Sequence, residues 1–408
     1  MRVGIKMKIE NLPNEFEKAR PVMQKIEDAG FEAYFVGGSV RDTILGLDIH
    51  DVDIATSAYP EEIKKIFKKT VDTGIEHGTV MVIHEKKGYE ITTFRTESGY
   101  QDYRRPDKVE FVRSLAEDLK RRDFTINAFA MRENGDVTDL FDGLTDLKNH
   151  LIRAVGNPNE RFHEDALRMM RAVRFASKLD FDIESETLAA IKSNSALLEK
   201  IAVERIYTEF VKMMMAKRPK QGISDMLNTD MYKYVPGFAS HQNELEAIAK
   251  IDDLDLSDEV SVWSLLSFEF GLDRTGITSF LKSWKASNDI IKNTEICTKA
   301  VEKLRDDSLD KWAMYETGKE LLVLANHIAK MYGFAESEED LVSQYDALPI
   351  KNKKEIAVNG GDLIKNGIVK PGPALGKILY AIETGIVNGE FQNEKAELIE
   401  AAKKIVKE

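Results

Sequence analysis

The apolar residues of this chain change their spacing about a third of the way along, and that change limits the folds it can adopt. Up to about residue 150, β-branched and aromatic runs alternate with short helical stretches; the runs include AYFVGG, DVDIAT, TVMVIHE, YEITTFR and GDVTDLFDG. Runs of this kind predict strands, so a mixed domain with a central sheet is expected there. From about residue 160 the apolar spacing is that of helices. The sequence therefore predicts an α+β protein with its sheet at the N-terminal end.

The length of the chain predicts more than one domain. Its 408 residues exceed what one hydrophobic core usually serves. Breaks in the helical pattern are expected near Lys217-Arg218-Pro219 and within the polar stretch 335–355. Neither a periodic repeat nor a low-complexity segment is present in the sequence.

Composition excludes several classes of protein. The chain is 43% hydrophobic, yet no apolar run approaches the roughly 18 residues of a membrane span, and the charged N-terminus argues against export. One cysteine, Cys297, cannot form an internal disulfide, which fits a reducing cytoplasm. A net charge of −12 argues against a nucleic-acid partner, although an RNA-binding groove needs only local positive potential.

The segment 37–56, GGSVRDTILGLDIHDVDIAT, contains the pieces of a nucleotidyl-transfer site. Alternation along a strand places Asp51 and Asp53 on one face, with Val52 and Ile54 toward the core, and paired carboxylates can bind Mg²⁺. The glycine pair leaves room for a phosphate, and Ser39 is expected to cap a helix that carries Arg41 and Asp42. D-V-D alone is more often a solvated strand edge, and the preceding glycine-arginine loop is what favours the functional interpretation.

A second candidate is the segment 163–175, HEDALRMMRAVRF. On one continuous helix, its methionines would form an apolar face and Arg168, Arg171 and Arg174 the opposite one, with Asp165 at the margin. A solvated basic stripe is the ordinary interpretation of such a pattern. The neighbouring apolar residues, Phe175 among them, favour a cleft wall where the arginines meet an anionic ligand such as a triphosphate.

The segment 117–131, EDLKRRDFTINAFAM, lies between these two. Arg121-Arg122-Asp123 precedes an apolar stretch, which predicts a guanidinium and a carboxylate at the head of a helix. Such a pair suits phosphate and ribose hydroxyls. An N-cap aspartate with flanking charges explains the pattern equally well.

In this order and spacing, the motifs resemble those of the bacterial class II tRNA nucleotidyltransferases, the CCA-adding enzymes. The resemblance also covers DLFDGLTDL at 139–147, YQDYRRP at 100–106, NGGDL at 359–363 and PGPALG at 371–376. It implies a polymerase-β-like head with a mixed sheet, followed by all-α neck, body and tail domains. The predicted bounds are 1–152 for the catalytic head, 153–218 for a neck that selects nucleotides, 219–335 for the body and 336–408 for a tail that docks tRNA.

The resemblance also implies roles for individual residues. Asp51 and Asp53 would hold Mg²⁺, and Glu90, on the strand YEITTFR, would be a third catalytic carboxylate. The incoming nucleotide would be bound by Gly38, Arg41, Arg122, Asp165, Arg168, Arg171 and Arg174.

The expected activity is template-independent addition of CCA to the 3′ end of tRNA from CTP and ATP, with release of pyrophosphate by a two-metal mechanism. Asp165 as acceptor and Arg168 as donor, at i and i+3 of one helix, would match the base edges that cytosine and adenine share. The expected partners are the acceptor and T arms of tRNA, CTP and ATP, without a membrane; a homodimer is one option for the assembly.

Alternatives remain open at this point. They are a poly(A) polymerase, a partial CC- or A-adding enzyme, a non-catalytic RNA-binding homologue and a small-molecule nucleotidyltransferase.

Overall fold

The first part of the chain is built on a sheet and the second is helical, as the apolar spacing predicts. A computed structural model describes residues 5–101, 103 and 105–407. These residues form two compact units, and the division falls between Ala249 and Lys250. The dividing position falls inside the stretch predicted as the body, and the division into four domains stays a prediction.

The strands are β1 Ile5–Lys8, β2 Ala33–Val36, β3 Asp53–Thr56, β4 Thr70–Gly74, β5 Thr79–His84, β6 Lys87–Thr93, β7 Arg95–Gln101, β8 Arg105–Phe111, β9 Phe129–Met131, β10 Asp136–Asp139, β11 Leu151–Ile152 and β12 Asp182–Ile183. The helices of the first unit are α1 Asn14–Asp28, α2 Gly38–Ile44, α3 Pro60–Ile66, α4 Leu115–Lys120, α5 Gly143–Lys148, α6 Pro158–Glu164, α7 Leu167–Leu179, α8 Ser185–Asn194, α9 Val203–Met214, α10 Pro219–Asn228 and α11 Gln242–Ala249. Those of the second are α12 Glu259–Glu269, α13 Arg274–Ser283, α14 Asn288–Arg305, α15 Lys311–Thr317, α16 Lys319–Met331, α17 Glu338–Asp346, α18 Gly360–Lys365, α19 Pro373–Asn388 and α20 Lys395–Ile405.

Eight strands form one mixed sheet in the order β1-β10-β9-β2-β3-β6-β5-β4. β3 and β6 run parallel, whereas the other neighbours in this sheet are antiparallel. The central strand β2 is buried along its whole length, which explains why its sequence AYFV is apolar without alternation. Helix α1 packs on the sheet through residues spaced three and four apart, and Phe16 lies 4.7 Å from Phe35 between ring centroids. The core thus fixes the ends of β2 and β3.

Helices dominate the first unit after residue 158, with one exception. The two-residue strand β12 pairs in parallel with β11, so the predicted neck segment is not entirely helical. The predicted break at Lys217-Arg218-Pro219 is confirmed: α9 ends at Met214 and Pro219 begins α10. Proline suits this first helical position because the amide hydrogen that it lacks would have no helical partner.

The second unit contains large apolar residues in two places. Trp263 of α12 and Trp284, which follows α13, lie 5.0 Å apart between centroids. Cys297 of α14 is fully buried, and burial raises the pKa of its thiol to about 12, which confirms it as a core residue. A further cluster joins Met314 and Leu322 to buried residues from Leu341 to Ala402. Residues on both sides of position 335 therefore share one core.

In the described part of the chain, no helix combines the length and the apolar character that crossing a membrane requires. Asp102 and Arg104 of the motif YQDYRRP lie outside the described residues. The two tail motifs both mark helix starts, since Asn359 caps α18 and Pro373 begins α19.

Candidate active site

The glycine pair links the end of β2 to the start of α2. Gly37 has φ +78° and ψ −150°, a conformation that a side chain would strain. A Cβ at this position would lie 3.5 Å from Asp53 Oδ2, so the loop passes close to the predicted metal ligand. Gly37, not Ser39, is the N-cap residue. The prediction of a Ser39 cap was wrong because α2 begins two residues earlier than the sequence suggested, which buries Ser39 inside its first turn.

Arg41 turns inward from α2 and is only 2% exposed. Its guanidinium donates to Asp42 Oδ1 at 2.6 and 2.8 Å and to the side-chain oxygen of Asn127. It also lies 5.0 Å from the centre of the Phe175 ring. Arg171 and Arg174 lie 5.3 and 4.1 Å from that same centre. One aromatic ring therefore spaces three guanidinium groups, whose mutual repulsion its π face partly offsets.

Asp51 and Asp53 sit where the sequence placed them, although β3 begins only at Asp53. Both are exposed, whereas the intervening Val52 and the following Ile54 are buried, which confirms the alternation. Glu90 of β6 is the register partner of Asp53 across the parallel pair. Desolvation, together with the charges of Glu90 and Asp51, raises the pKa of Asp53 against the opposing effect of Arg122. The three carboxylates thus repel one another.

Arg121, Arg122 and Asp123 follow α4 and do not head a helix, so that prediction was wrong. The apolar residues after Asp123 form a single 3-10 turn and then β9, because they are core residues of the sheet. Asp118, which is 1% exposed, accepts from Arg121 at 2.9 Å and from Arg122 at 3.2 Å. Arg122 is thereby held close to Gly37 and Asp53.

Asp123 is a buried acceptor for Arg171 and Asn127, at 2.7 and 3.1 Å. Burial opposes its ionisation, but Arg171, the Asn127 amide and Arg168 outweigh that cost and lower the pKa of Asp123 to about 2. Because Asn127 also accepts from Arg41, one hydrogen-bonded chain joins α2 to α7.

The segment 163–175 is not one helix. Helix α6 ends at Glu164, Asp165 is extended with φ −142° and ψ 102°, and α7 begins at Leu167. The Asp165 side chain accepts the Leu167 backbone N–H at 3.0 Å, a local bond that competes with helix continuation. The prediction that Asp165 and Arg168 share a helix was therefore wrong. They remain neighbours, since the Arg168 backbone N–H donates to the Asp165 carbonyl at 3.0 Å.

Acids from neighbouring elements neutralise the three arginines of α7. Arg168 pairs with Glu164 at 2.7 Å, Arg171 with Asp123 at 2.6 Å, and Arg174 with the buried Glu209 of α9. Burial lowers the pKa of Arg174, which Glu209 partly counteracts. The expectation that these cations need an external anion overlooked Asp123 and Glu209, which lie 48 and 35 positions from Arg171 and Arg174.

These groups surround one cavity of about 790 Å³ in the first unit. Of the ten residues predicted for the site, nine line it; Glu90 does not but adjoins it through its pairing with Asp53. Lining residues that the prediction missed include His50, Asn127, Lys178 and Arg205. Arg205 lies in VERIYTEF, whose helical pattern gives no indication of a site, so only the packing of α9 against α7 reveals it.

Comparison with known proteins places this cavity in a family. Residues 33–153 match the model of the poly(A) polymerase head domain, 180–242 a "Probable RNA and SrmB- binding site of polymerase A", and 254–402 a tRNA nucleotidyltransferase domain 2. A CCA-adding enzyme of Ligilactobacillus salivarius is 60% identical over 98% of this chain and 100% of its own length. The chain belongs to the CCA-adding enzymes. One from Limosilactobacillus reuteri is 58% identical over 98% of this chain and all of its own.

Solved structures of CCA-adding enzymes share the fold. The Bacillus stearothermophilus enzyme in complex with CTP superposes with a TM-score of 0.89 at 38% identity, over 97% of this chain and 98% of its own. The Thermotoga maritima enzyme with tRNA gives 0.64 at 23% identity, over 97% of both chains, a likeness of fold alone. Membership in this family of nucleotidyltransferases implies dependence on a divalent metal ion.

Proposed function

We propose that this CCA-adding enzyme transfers CMP and AMP from CTP and ATP to the 3′ end of tRNA, without a nucleic-acid template and with release of pyrophosphate. The observation that carries the proposal is the single cavity in which a glycine loop, a pair of strand carboxylates and the arginines of α7 converge. Its volume of about 790 Å³ suits one nucleotide and a 3′ terminus, within the usual range for ligand sites.

Asp51 and Asp53 are the proposed ligands of Mg²⁺, with Glu90 as a third catalytic carboxylate. None of the three forms a salt bridge with a described residue. Desolvation, followed by repulsion from Glu90 and Asp51, raises the pKa of Asp53, so a divalent cation fits there. In the described residues no three His, Cys, Asp or Glu side chains are arranged as a complete metal site. Two carboxylates with substrate phosphates and water are an ordinary Mg²⁺ environment. When bound, the metal would supply activation of the 3′ hydroxyl and neutralisation of the phosphate charge.

The remaining residues bind and orient the triphosphate. Gly37 and Gly38 leave room for it beside α2, and Arg122 lies close to both Gly37 and Asp53. Arg171 and Arg174, spaced by Phe175, supply positive charge at fixed positions, because each is anchored to a buried acid. Charges held in place need little reorganisation during transfer.

Asp165 and Arg168 are the proposed readers of the base. Cytosine presents an amino group beside N3 and adenine an amino group beside N1, so an acceptor next to a donor matches both. Uracil and guanine present the reverse order. A mismatch would leave a buried polar group unpaired, which costs roughly 1–3 kcal/mol.

The tail, residues 336–408, is the proposed docking surface for tRNA. The cytoplasm is the proposed location, because a reducing compartment suits a free, buried cysteine. The family model of a poly(A) polymerase head makes poly(A) synthesis the second candidate.

The test is incorporation into tRNA that lacks its 3′ CCA, with CTP, ATP, UTP and GTP given singly and in pairs. CTP alone should yield two additions, and CTP with ATP should yield three and then stop. Long adenylate tails on unrelated RNA would instead indicate a poly(A) polymerase. A product that stops at CC, or addition of A only to tRNA ending in CC, would indicate a partial enzyme.

A further inference from the structure

The backbone next to Asp165 holds one of its two carboxylate oxygens. Oδ1 accepts the Leu167 backbone N–H at 3.0 Å, which fixes that oxygen over the first turn of α7. This bond alone leaves the carboxylate free to rotate about it, since aspartate side chains turn readily about their terminal torsion. A second contact is required to fix the direction of Oδ2.

Arg205 of α9 supplies that contact. Its Nη2 donates to Asp165 Oδ2 at 2.8 Å and its Nη1 to Oδ1 at 3.3 Å. Both side chains line the cavity and are only 25% and 19% exposed. Side-by-side donation of this kind fixes the plane of a carboxylate as well as its position.

Arg168 does not perform this task. Its guanidinium donates to Glu164 at 2.7 Å and to the carbonyl oxygens of Arg161 and Arg121, at 3.3 and 2.9 Å. These bonds aim Arg168 independently of Asp165. The two predicted base readers are thus positioned separately, and Arg205 is the cation bound to the acceptor.

The Asp165 carboxylate keeps one acceptor position that no described donor fills. A carboxylate offers about four acceptor positions. Described donors fill three of them: Leu167 N–H and Arg205 Nη1 on Oδ1, and Arg205 Nη2 on Oδ2. The remaining position is on Oδ2, which the exocyclic amine of a base could fill.

We infer that Arg205 is a specificity-determining positioning residue: it fixes the plane of Asp165 so that the remaining lone pair of Oδ2 is presented to the base. The inference rests on the proposed function, because it concerns how that site rejects UTP and GTP. Without Arg205, the Asp165 carboxylate can rotate and share a proton or a water with a carbonyl edge. Selection should weaken while transfer persists.

The experiment measures kcat and KM for all four nucleotides on tRNA ends that await C or A, in the wild type and in Arg205→Gln, Arg205→Lys and Asp165→Ala. The double variant Arg205→Gln with Asp165→Ala completes a cycle. Lys212→Gln is the matched control, since Lys212 is exposed on the same helix. Thermal unfolding of each variant establishes that it is folded.

Arg205→Gln should lower the preference for CTP over UTP, and for ATP over GTP, by about tenfold. Arg205→Lys, which keeps the charge but not the paired donors, should fall between it and the wild type. In the Asp165→Ala background the Arg205 substitution should have no further effect on selectivity. Lys212→Gln should match the wild type.

Two results would overturn the inference while leaving the proposed function intact. One is unchanged selectivity in folded Arg205→Gln. The other is an equal rise in KM for all four nucleotides that adds to the effect of Asp165→Ala, since it would make Arg205 a direct triphosphate ligand. Failure of the wild type to extend tRNA would overturn the proposed function, and this inference with it.

Discussion

The two sides of the cavity treat charge in opposite ways. On the strand side, Asp51, Asp53 and Glu90 face one another without a salt bridge to any described residue, and the pKa of Asp53 is raised. On the α7 side, Arg171 and Arg174 are paired with Asp123 and Glu209, and the pKa of Asp123 is lowered to about 2.

The difference separates groups that await a ligand from groups that hold the frame. Uncompensated carboxylates cost stability and are retained where a cation is to be bound. Compensated arginines give α7 and α9 a fixed separation, and they present the remaining edges of their guanidinium groups to the cavity. A residue's charge alone would not distinguish these two roles, whereas its partners do.

The largest effect is expected on the strand side of the cavity, at Asp53. Asp53→Asn should lower kcat for CMP incorporation by about 10³-fold or more, because the proposed metal site loses a charged ligand worth several kcal/mol in the transition state. Binding of tRNA, measured by filter retention, should stay within about twofold of the wild type, since the side chain makes no salt bridge. Robust incorporation by the variant would remove Asp53 from the metal site.

An aspartate-to-asparagine replacement on the α7 side should lower the stability of the fold more than it lowers catalysis. Asp123→Asn removes the closer of the two acids that contact Arg171 and leaves only Glu209, at 3.8 Å. We expect a loss of about 3 kcal/mol in the free energy of unfolding at pH 7. The stabilisation from Asp123 is present above the unfolded pKa of about 4 and disappears as the pH falls toward its folded value of about 2. Urea titrations of both proteins should therefore converge below pH 3. An equal difference at pH 3 and pH 7 would contradict the assigned cause.

A smaller effect is expected at Asp165, which lies between α6 and α7. Asp165→Ala removes the acceptor for the exocyclic amine and the repulsion toward a carbonyl, so the preference for CTP over UTP should fall by about tenfold or more. Single-turnover incorporation of each nucleotide measures it. If the variant keeps full selectivity, Asp165 only caps α7 and base choice resides elsewhere.

The sequence predicted those features of the fold and the site that depend on residues close together along the chain. The Asp51–Asp53 alternation and the glycine loop were predicted correctly, because both follow from a strand and the turn beside it. The continuous helix over 163–175 was not, because the Asp165 bond to Leu167 N–H breaks the helix without a proline or glycine to indicate it.

Long-range pairing was harder still to predict. Asp123 and Arg171 are 48 positions apart, and Asp165 and Arg205 are 40. No local pattern connects such residues, so the acids that neutralise α7 and the arginine that holds Asp165 could be found only in the folded chain. Tertiary contacts decided both, as they decide most departures from local propensity.

The smallest expected effect contrasts the two carboxylates directly. Since the pKa of Asp53 is raised in the folded state, its contribution to stability is present in acid and is lost as the pH rises through that value. The free energy of unfolding of Asp53→Asn should therefore rise relative to that of the wild type between pH 4 and pH 7. The expected rise is a few tenths of a kcal/mol, because the side chain is exposed and solvent screens its charge. Unfolding by urea in the presence of a chelator measures the difference. Asp123→Asn serves as the contrasting control, since its deficit relative to the wild type should be nearly complete at pH 4 and stay nearly constant up to pH 7. If Asp53→Asn were the less stable protein at pH 7, the strand carboxylates would be structural partners, and the contrast between the two sides of the cavity would be lost.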